Sequence, residues 1–581
     1  MAVITIDGTQ YEVDPKLTII QAAKENGISI PHFCWHPKLS VAGNCRMCLV
    51  DVGNPRRNRD GTLVMNETNE RIIDFMPKLA IACSTPVADG MVVNTKTPKV
   101  INSQEAVMEF LLINHPLDCP ICDEAGECKL QDYAYKYSVG ESRFEFNKVR
   151  KPKRVELGPN VMLDTERCIM CSRCVRFCDE IAKKPQLTFT QRGDHVELTT
   201  FPDVQLDNPY SMNVIDLCPV GALTSRDFRF KARVWELSST DSVCVGCSRG
   251  CNTKVWVRNN EILRLTPRFN PEVNDYWMCD NGRLNTFKWV NSEKRIVAPM
   301  IRKEGQLVDV GWDEAVAKVV SELRHYKKSE IAALGSPFAT NEDNYAFVKL
   351  MKHLGVTNID FMTHTVEGDE DELLVRSDKS PNTLGAKTVG VHPESNSLNL
   401  ENIIRGINDG TIKALYSLDE HIAYEPSMSA VLSKLDLFIV HASMENETVN
   451  YADIVFSTAT YAEKNGTYIN FQGHIQRIRP AVSVLEQERS LDGFSMSRLD
   501  KFGAHNDRWT KGPKRDARAV WRVCSRIAGA LGAKWKYNSS EEVFNEMTNT
   551  LEVFKGMSYL KLGTRGMKIK QTTHSTVKVT A

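Results

Sequence analysis

The sequence has no excess of either charge and no long apolar run. Lysine plus arginine and aspartate plus glutamate both number 73 in 581 residues, so the formal net charge is zero. Because general nucleic-acid-binding proteins are usually basic, this balance disfavours that class of function. No apolar run approaches the roughly 18 residues of a membrane span, and the N-terminal residues lack the basic and apolar regions of a signal peptide. The sequence therefore predicts a cytoplasmic protein with no direct membrane span.

Two further absences concern chemistry. No Gly-x-Gly-x-x-Gly follows a predicted strand, so the chain is not expected to bind NADH itself. No cysteine occurs between residues 280 and 523. By contrast, 16 of the 17 cysteines lie within the first 279 residues. In a reducing compartment, such clustering favours metal binding over disulfides.

The clustered cysteines, together with one histidine, form four sets with the spacing of iron–sulfur ligands. Such clusters take thiolates from one tight loop and at least one more distant ligand. The sets are Cys34, Cys45, Cys48 and Cys83; His115, Cys119, Cys122 and Cys128; Cys168, Cys171, Cys174 and Cys218; and Cys244, Cys247, Cys251 and Cys279. Zinc is the alternative at the first and fourth sets, because C-x2-C pairs also bind zinc.

The first two sets differ in the cluster that they predict. The first has the spacing C-x10-C-x2-C-x34-C, which retains a C-x2-C pair and a remote cysteine and predicts a [2Fe–2S] cluster. The second has the spacing H-x3-C-x2-C-x5-C, so a [4Fe–4S] cluster there lacks a fourth cysteine. We expect His115, which stands directly before Pro116, to be the fourth ligand. A neutral imidazole in place of a thiolate would change both the charge and the potential of the cluster.

The third set requires an inference about which cysteines belong together. Cys168, Cys171, Cys174 and Cys178 form the C-x2-C-x2-C-x3-C run of bacterial ferredoxins, in which the fourth cysteine ligates the other cluster. The second run is reduced here to Cys218. We therefore expect Cys218 to complete a [4Fe–4S] cluster and Cys178 to be a non-ligand.

The fourth set has the spacing C-x2-C-x3-C-x27-C, which predicts a further [4Fe–4S] cluster. Gly246 and Gly250 give its loop conformational freedom. The remaining cysteine, Cys524, lies on the apolar face of a predicted helix and is expected to be a small core residue.

The hydrophobic patterning predicts a multidomain chain of α+β and α/β type. An alternating stretch at 3–8, a return strand at 11–13 and a helix at 18–25 begin a small ferredoxin-like sheet. A helix is predicted over 103–114, with Asn102 or Ser103 as its cap. Within 295–500, apolar strands alternate with helical patterns, which indicates an α/β domain; the clearest of these strands are 413–418 and 435–440.

The four sets, in this order, resemble the large iron–sulfur subunit of respiratory complex I, the NADH–quinone oxidoreductase. Bacterial members of this family are designated by the letter G, and the mitochondrial counterpart is the 75-kDa subunit. The resemblance covers residues 1–285 and rests on Pro31-His32-Phe33-Cys34, Gly43-Asn44-Cys45-Arg46-Met47-Cys48, His115-Pro116-Leu117-Asp118-Cys119-Pro120-Ile121-Cys122-Asp123, Gly126-Glu127-Cys128, and Arg167-Cys168-Ile169 through Val175-Arg176-Phe177-Cys178.

The resemblance implies a domain order and a set of cofactors. The cofactors are one [2Fe–2S] cluster and three [4Fe–4S] clusters, one of them held by a histidine and three cysteines. The fourth cluster occurs in only part of the family, and its intact spacing here predicts its presence. The domains are a [2Fe–2S] ferredoxin-like β-grasp domain at 1–95, a helical segment for the histidine-ligated cluster at 96–140, a [4Fe–4S] ferredoxin-like domain at 141–236, a [4Fe–4S] domain of the molybdenum/tungsten pterin-enzyme type at 237–293, an α/β domain like that of molybdopterin oxidoreductases at 294–500, and a C-terminal region of unknown role at 501–581.

The resemblance also implies a role within an assembly. The chain would pass electrons from a flavin- and NADH-binding partner towards quinone, through downstream iron–sulfur subunits of the peripheral arm. It would be part of an ion-translocating enzyme that is active only when assembled, without catalytic residues of its own. Its place would be peripheral, on the cytoplasmic side of the cell membrane.

From about residue 240 onward, the chain is also similar to molybdopterin oxidoreductases. The similarity rests on Ala452-Asp453-Ile454-Val455, Glu463-Lys464-Asn465-Gly466-Thr467-Tyr468 and Asn470-Phe471-Gln472-Gly473-His474-Ile475-Gln476. Active members hold their metal through a residue such as cysteine, and no cysteine lies in the middle of this domain. Asp419 stands where close approach to a pterin would favour glycine. We therefore expect neither molybdenum nor a pterin.

Three other functions fit the sequence less well. An iron–sulfur formate dehydrogenase or related molybdopterin enzyme would keep both ferredoxin runs complete and supply a metal ligand. An iron hydrogenase would need further downstream cysteines. A zinc-stabilised scaffold is disfavoured jointly by the histidine-containing set and the ferredoxin run. A count of iron, zinc, molybdenum and tungsten distinguishes the electron-transfer function from the pterin enzyme and the zinc scaffold.

Overall fold

The structure is a computed structural model that describes residues 1–138, 140–394, 397–485 and 513–570, together with the backbone of 494–495. The chain divides into two compact units, Met1–Trp235 and Glu236–Ala581. The first unit contains the first three ligand sets, and the second contains the fourth set and the α/β domain.

The first unit begins with a mixed sheet whose core holds the first ligand set. The elements are β1 Ala2–Ile6, β2 Thr9–Val13, α1 Ile19–Glu25, β3 Leu49–Pro55, β4 Ile73–Phe75, β5 Ala80–Ile81 and β6 Val92–Asn94. The strand order is β2-β1-β6-β3-β4, with β5 paired to β3. A two-residue turn at Asp7 and Gly8, with φ of 47° and 86°, joins β1 to β2 as the alternating pattern predicts. The predicted helix that follows is α1, and a hydrogen bond from Thr18 N to Gln21 Oε1 fixes its N-terminus.

Two helices, α2 Pro98–Ile113 and α3 Lys129–Tyr137, flank the second ligand set. The prediction that α2 begins near residue 103 is wrong by five residues. Thr97 is the actual N-cap, because its side chain accepts a hydrogen bond from Val100 N and Pro98 follows at the first helical position.

The third ligand set lies among short strands and two short helices. The elements are β7 Val155–Glu156, β8 Val161–Leu163, α4 Arg173–Glu180, β9 Leu187–Thr190, β10 Glu197–Thr200, α5 Asn213–Leu217 and β11 Leu223–Ser225. A three-stranded sheet has the order β11-β8-β7, and β9 and β10 form a hairpin.

The second unit opens with an antiparallel sheet that carries the fourth ligand set. Its first strands are β12 Ser238–Val243, β13 Asn252–Arg258 and β14 Glu261–Pro267, followed by the short helix α6 Asp280–Leu284. The set occupies the β12–β13 connection and the N-terminus of α6.

A seven-stranded sheet follows and confirms the predicted α/β domain. The elements are β15 Met300–Lys303, β16 Gln306–Asp309, α7 Trp312–Leu323, β17 Ile331–Gly335, α8 Asn341–Leu354, β18 Asn358–Phe361, α9 Thr383–Thr388, α10 Leu400–Asn408, β19 Ala414–Leu418, α11 Pro426–Leu432, β20 Leu437–Ala442 and β21 Ile454–Ser457. The strand order is β16-β15-β21-β20-β19-β17-β18, and the five strands from β21 to β18 are parallel. The two strands predicted at 413–418 and 435–440 are β19 and β20.

The last elements complete the second unit. They are β22 Gly466–Ile469, β23 His474–Ile478, β24 Phe494–Ser495, α12 Val520–Ala530, α13 Ser540–Thr550, α14 Tyr559–Leu562 and β25 Met567–Lys568. The strand β24 pairs with β12, and β25 pairs with β23. Trp521, Cys524 and Phe544 are buried in the same hydrophobic core as Phe347 of α8, so Cys524 is a core residue as predicted.

Candidate iron–sulfur sites

The structure brings the four cysteines of the first set into one group, in which Cys34, Cys48 and Cys83 are buried and Cys45 is half-buried. Cys34 N donates to Cys45 Sγ at 3.5 Å. Hydrogen bonds from Cys45 and Cys83 lower the pKa of Cys34, and a hydrogen bond from Cys83 lowers the pKa of Cys48. Gly43, with φ of 61°, allows the preceding loop to turn around these sulfurs. The four thiols are therefore close enough to share protons or, when deprotonated, a cluster.

The second set surrounds a cavity between α2 and α3. Its lining includes all four proposed ligands, His115, Cys119, Cys122 and Cys128, together with Arg167 and Gly221. Burial lowers the pKa of His115 to about 4, so its imidazole is neutral at pH 7, which is the form that binds metal. Its buried Nδ1 has no hydrogen-bond partner among the described residues. The cavity, the orphaned nitrogen and the three thiols fit a histidine-ligated cluster.

The third set is assembled by a tight loop and the end of α5. Met170 and Ser172 have φ of 53° and 61°, which curls the loop around its cysteines. Burial raises the pKa of Cys174 and Cys218 well above the usual value, and the charges of neighbouring cysteines raise both further. Thiols with such pKa values are protonated at neutral pH unless a bound cation compensates the thiolate charge, so this site fits a metal cluster.

The fourth set has backbone amides directed at its sulfurs. Gly246 N donates to Cys244 Sγ at 3.5 Å, and Gly282 N donates to Cys279 Sγ at 3.3 Å. A Cβ at Gly282 would lie 3.0 Å from Cys244 Sγ and 3.2 Å from Cys279 Sγ. Burial raises the pKa of Cys251, and the other three cysteines of the set raise it further. The loop thus leaves the sulfurs both close together and accessible to donors.

The third set lies directly beside the first. Arg176 Nη2 donates to Cys34 O at 2.5 Å and to Cys171 O at 3.4 Å, so one guanidinium nitrogen joins ligands of both sets. Asn44 Nδ2 also donates to Met170 O at 3.0 Å. The spacing of the cysteines along the chain gives no sign of this junction, because the two loops are more than a hundred residues apart.

The third set also lies directly beside the second. A Cβ at Gly221, three residues after Cys218, would lie only 2.2 Å from Cys122 Sγ. Cys128 Sγ lies 3.9 Å from Pro219 O. The spatial order of the sets is therefore first, third, second, which differs from their order in the sequence. Sequence reasoning missed Gly221, although a glycine so close to a ligand cysteine is a usable signal of close packing.

The remaining cysteine of the ferredoxin run, Cys178, lies on α4 one helical turn after Cys174 and is buried. Burial raises its pKa to about 12. Its role as a non-ligand stays a prediction.

Two residues at positions that pterin enzymes would use, Lys464 and Asp419, make contacts with other residues of this chain. Lys464 Nζ pairs with Asp343 Oδ2 at 2.7 Å, and both side chains are buried. Asp419 has a φ of 35°, the left-handed conformation that favours glycine, and its Oδ1 accepts from Ser443 N at 2.8 Å. A carboxylate thus stands where a pterin site would favour glycine, and the motif's lysine is already paired.

Family models match the chain in the predicted order and define its class. They describe a 2Fe-2S iron-sulfur cluster binding domain at 1–98, the NADH-ubiquinone oxidoreductase-G iron-sulfur binding region at 104–143, the ferredoxin-like domain of NADH-quinone oxidoreductase subunit 3 at 158–224, the NDSU1/NuoG-like 4Fe-4S domain of NADH-ubiquinone oxidoreductase at 237–286, and molybdopterin oxidoreductase at 295–384 and 377–491. The chain is thus an iron–sulfur protein with a molybdopterin-oxidoreductase-type domain.

Curated relatives show which known proteins the chain is similar to. The NADH-quinone oxidoreductase subunit designated G in Rickettsia felis is 40% identical over 360 residues, which cover 62% of this chain and 50% of the relative. Subunit 3 of Thermus thermophilus is 39% identical over 378 residues, covering 63% and 48%. The mitochondrial 78 kDa subunit of Neurospora crassa is 39% identical over 361 residues, covering 61% and 45%. The chain is therefore similar to the large iron–sulfur subunits of NADH-quinone oxidoreductase, and it spans about half the length of these relatives.

Three further findings complete this picture. No helix in the described ranges is long and apolar enough to cross a membrane. Over the same ranges, no group of three His, Cys, Asp or Glu side chains has the arrangement of a site for a single metal ion. A chain of an NAD+-reducing [NiFe]-hydrogenase aligns with 40% of this chain and 91% of its own length, at 27% identity. Its TM-score of 0.33 is too low to carry an argument about the fold.

Proposed function

We propose that this chain is an electron-transfer subunit of an NADH–quinone oxidoreductase. The first set would hold a [2Fe–2S] cluster, and the other three would each hold a [4Fe–4S] cluster. His115 would be the single non-cysteine ligand, with Cys119, Cys122 and Cys128 in the same cluster. The clusters supply the one-electron redox chemistry, and the chain supplies their ligands, spacing and electrostatic surroundings.

The observation that carries this proposal is the direct contact of the third set with both the first and the second. Arg176 links the first and third sets through Cys34 O and Cys171 O. Gly221 brings the loop after Cys218 against Cys122. Three redox centres in a row, in the order first, third, second, form a path along which electrons can pass through the unit.

The chain's own residues have three tasks in this function. Backbone amides such as Gly282 N donate to ligand sulfurs, which stabilises negative charge on them. Burial of Cys174 and Cys251 limits the access of water to the third and fourth sets. The neutral imidazole of His115 leaves its cluster with one negative charge fewer than a fourth thiolate would.

The remaining steps of the reaction belong to partners. A flavin- and NADH-binding subunit would deliver electrons, and downstream iron–sulfur subunits of the peripheral arm would carry them to quinone. Quinone reduction and ion translocation would be properties of the assembled complex, attached peripherally to the cytoplasmic side of the cell membrane. The relatives' names, together with the three adjacent ligand sets, favour this arrangement.

The α/β domain would serve without molybdenum or a pterin. Lys464 is already paired with Asp343, and Asp419 places a carboxylate beside Ser443. The alternative function, an iron–sulfur subunit of a formate dehydrogenase-like enzyme, requires a bound pterin and a metal ligand in this domain.

The test is a metal count on protein purified without oxygen. One [2Fe–2S] and three [4Fe–4S] clusters require about 14 iron atoms per chain. About 14 iron atoms without molybdenum or tungsten is the expected result. About 10 would mean that one [4Fe–4S] set is empty, and stoichiometric molybdenum or tungsten would favour the formate dehydrogenase-like alternative. Zinc in place of iron would contradict the redox function of the site that holds it.

A further inference from the structure

Arg167 belongs to the loop of the third set, but its side chain reaches the second. It immediately precedes Cys168, a proposed ligand of the third cluster. Its side chain, with only 4% of its surface exposed, lines the cavity of the second set beside His115 and Cys122. A buried positive charge therefore stands within the proposed binding cavity of the second cluster, next in sequence to a ligand of the third.

The hydrogen bonds of Arg167 leave one donor group unused. Nε and Nη2 donate to Asp118 Oδ2 at 3.2 and 2.9 Å, and Nε lies 3.3 Å from Asp164 Oδ2. Nη1 is buried and has no hydrogen-bond partner in the part of the chain that the structure describes. Asp118 lines the same cavity and also pairs with Lys153 at 2.6 Å.

We propose that Arg167 raises the reduction potential of the second cluster from inside its cavity, through its charge and its unused Nη1 donor, and that Asp118 partly offsets this effect. This inference rests on the proposed function, because it requires a cluster held by His115 and its three cysteines. The raised potential makes the second cluster a better acceptor of an electron from the third cluster.

The physical reason is the charge that reduction adds. One electron makes the cluster more negative by one unit, and a nearby cation stabilises this form, especially where water is excluded. A carboxylate at the same place has the opposite effect.

Lys153 offers a matched comparison in the same network. It carries the same charge and binds the same Asp118, but 37% of its side chain is exposed. Solvent screens such a charge more strongly. Removing the charge of Lys153 should therefore change the potential much less than removing the charge of Arg167.

The experiment is an EPR-monitored redox titration of the holoprotein and of Arg167→Gln, Arg167→Lys, Asp118→Asn and Lys153→Gln. The potential of the [2Fe–2S] cluster is the internal reference. Arg167→Gln should lower the reduction equilibrium constant of the second cluster at least tenfold, or about 59 mV for one electron. Asp118→Asn should raise it. Arg167→Lys and Lys153→Gln should each lower it less than threefold.

The potential of the second cluster should fall in Arg167→Gln and rise in Asp118→Asn. These opposite shifts separate an electrostatic role from a structural one, because general loosening of the cavity would not produce both. A change below threefold in Arg167→Gln, or shifts of the same sign in Arg167→Gln and Asp118→Asn, would overturn the proposal. If Arg167→Gln fails to bind the cluster, Asp118→Asn decides: a raised potential supports the proposal, and an unchanged or lowered one refutes it. A wild-type protein without the second cluster would instead refute the proposed function itself.

Discussion

The cysteine loops and the α/β domain both bury ionisable side chains, but they balance them in different ways. In the loops, burial raises the pKa of thiols such as Cys174 and Cys251 well above the usual value, and their cysteine neighbours raise it further. In the α/β domain, the buried Lys464 is paired with Asp343 at 2.7 Å. The thiols of the third and fourth sets need a cation from outside the chain, whereas Asp343 has its counter-charge within the α/β domain.

This difference explains why the two regions should respond differently to metal. A set of buried thiols without counter-charge is stabilised when iron binds, because metal binding removes their protons and compensates the charge. A buried ion pair gains nothing from a ligand that would have to break it, since separating the partners leaves an uncompensated charge. We therefore expect the loops to respond strongly to metal and the α/β domain to be indifferent to it.

The largest effect on cluster binding is expected where two cysteine loops pack most tightly against each other. Gly221→Ala places a Cβ 2.2 Å from Cys122 Sγ, so the cysteine cannot keep its position. We expect loss of the second cluster, measured as about four iron atoms fewer per chain together with loss of its EPR signal. Gly529→Ala is the matched control, because its Cβ meets nothing within 4 Å. Full iron content in Gly221→Ala would contradict the packing of the two sets.

The next effect tests whether the α/β domain supplies its own counter-charges. Lys464→Met leaves Asp343 buried and unpaired, which should destabilise the domain by about 3–5 kcal/mol. Hydrogen exchange in α8 and β22, which carry or adjoin the pair, measures this loss. Arg405→Ala is the control: it removes a surface ion pair with Glu401, and a change within about 0.5 kcal/mol is expected.

Equal exchange rates in wild type and Lys464→Met would show that the pair does not stabilise the domain. The comparison between the two regions would then lose its main support. Metal content should be the same in both variants, because neither residue belongs to a ligand set.

A pH dependence should also arise in the α/β domain. Burial raises the pKa of Glu342 to about 7, although Thr467 and Tyr559 donate hydrogen bonds to its carboxylate. Because the folded pKa lies above the unfolded value of 4.5, this group's contribution to stability is full below pH 4.5 and is lost as pH rises through 7. The loss approaches about 3 kcal/mol, since one pKa unit corresponds to about 1.4 kcal/mol.

Glu342→Gln removes this titration. The variant's stability relative to wild type should therefore increase between pH 5 and pH 8, as measured by hydrogen exchange in α8 at both values. Glu401→Gln, on the exposed surface of α10, serves as the control for a general effect of losing one carboxylate. A relative stability of Glu342→Gln that stays constant or falls with pH would show that Glu342 is not titrating in this range.

The sequence predicts the ligand set within each cysteine loop, but it does not predict how the loops are arranged in space. Ligand spacing is local, so each set can be recognised within a short stretch, and the apolar alternation of β1 and β19 is equally local. The order first, third, second depends on contacts such as Arg176 with Cys34, which join loops 142 residues apart. The polar residues Asn102 and Ser103 predict a later start for α2 than the actual one, which Thr97 and Pro98 fix.

The smallest effect is expected at the one cysteine of the ferredoxin run that we assign no iron. Cys178→Ala should keep the full iron content, because Cys218 takes the fourth position in the third set. Its buried side chain is small, so the cost to stability should be only about 1 kcal/mol. Cys174→Ala, one helical turn earlier on α4, should by contrast lose the third cluster and interrupt the path between the first and second sets. Loss of four iron atoms in Cys178→Ala would mean that this thiol is itself an iron ligand. The third set would then contain Cys178 in place of Cys218.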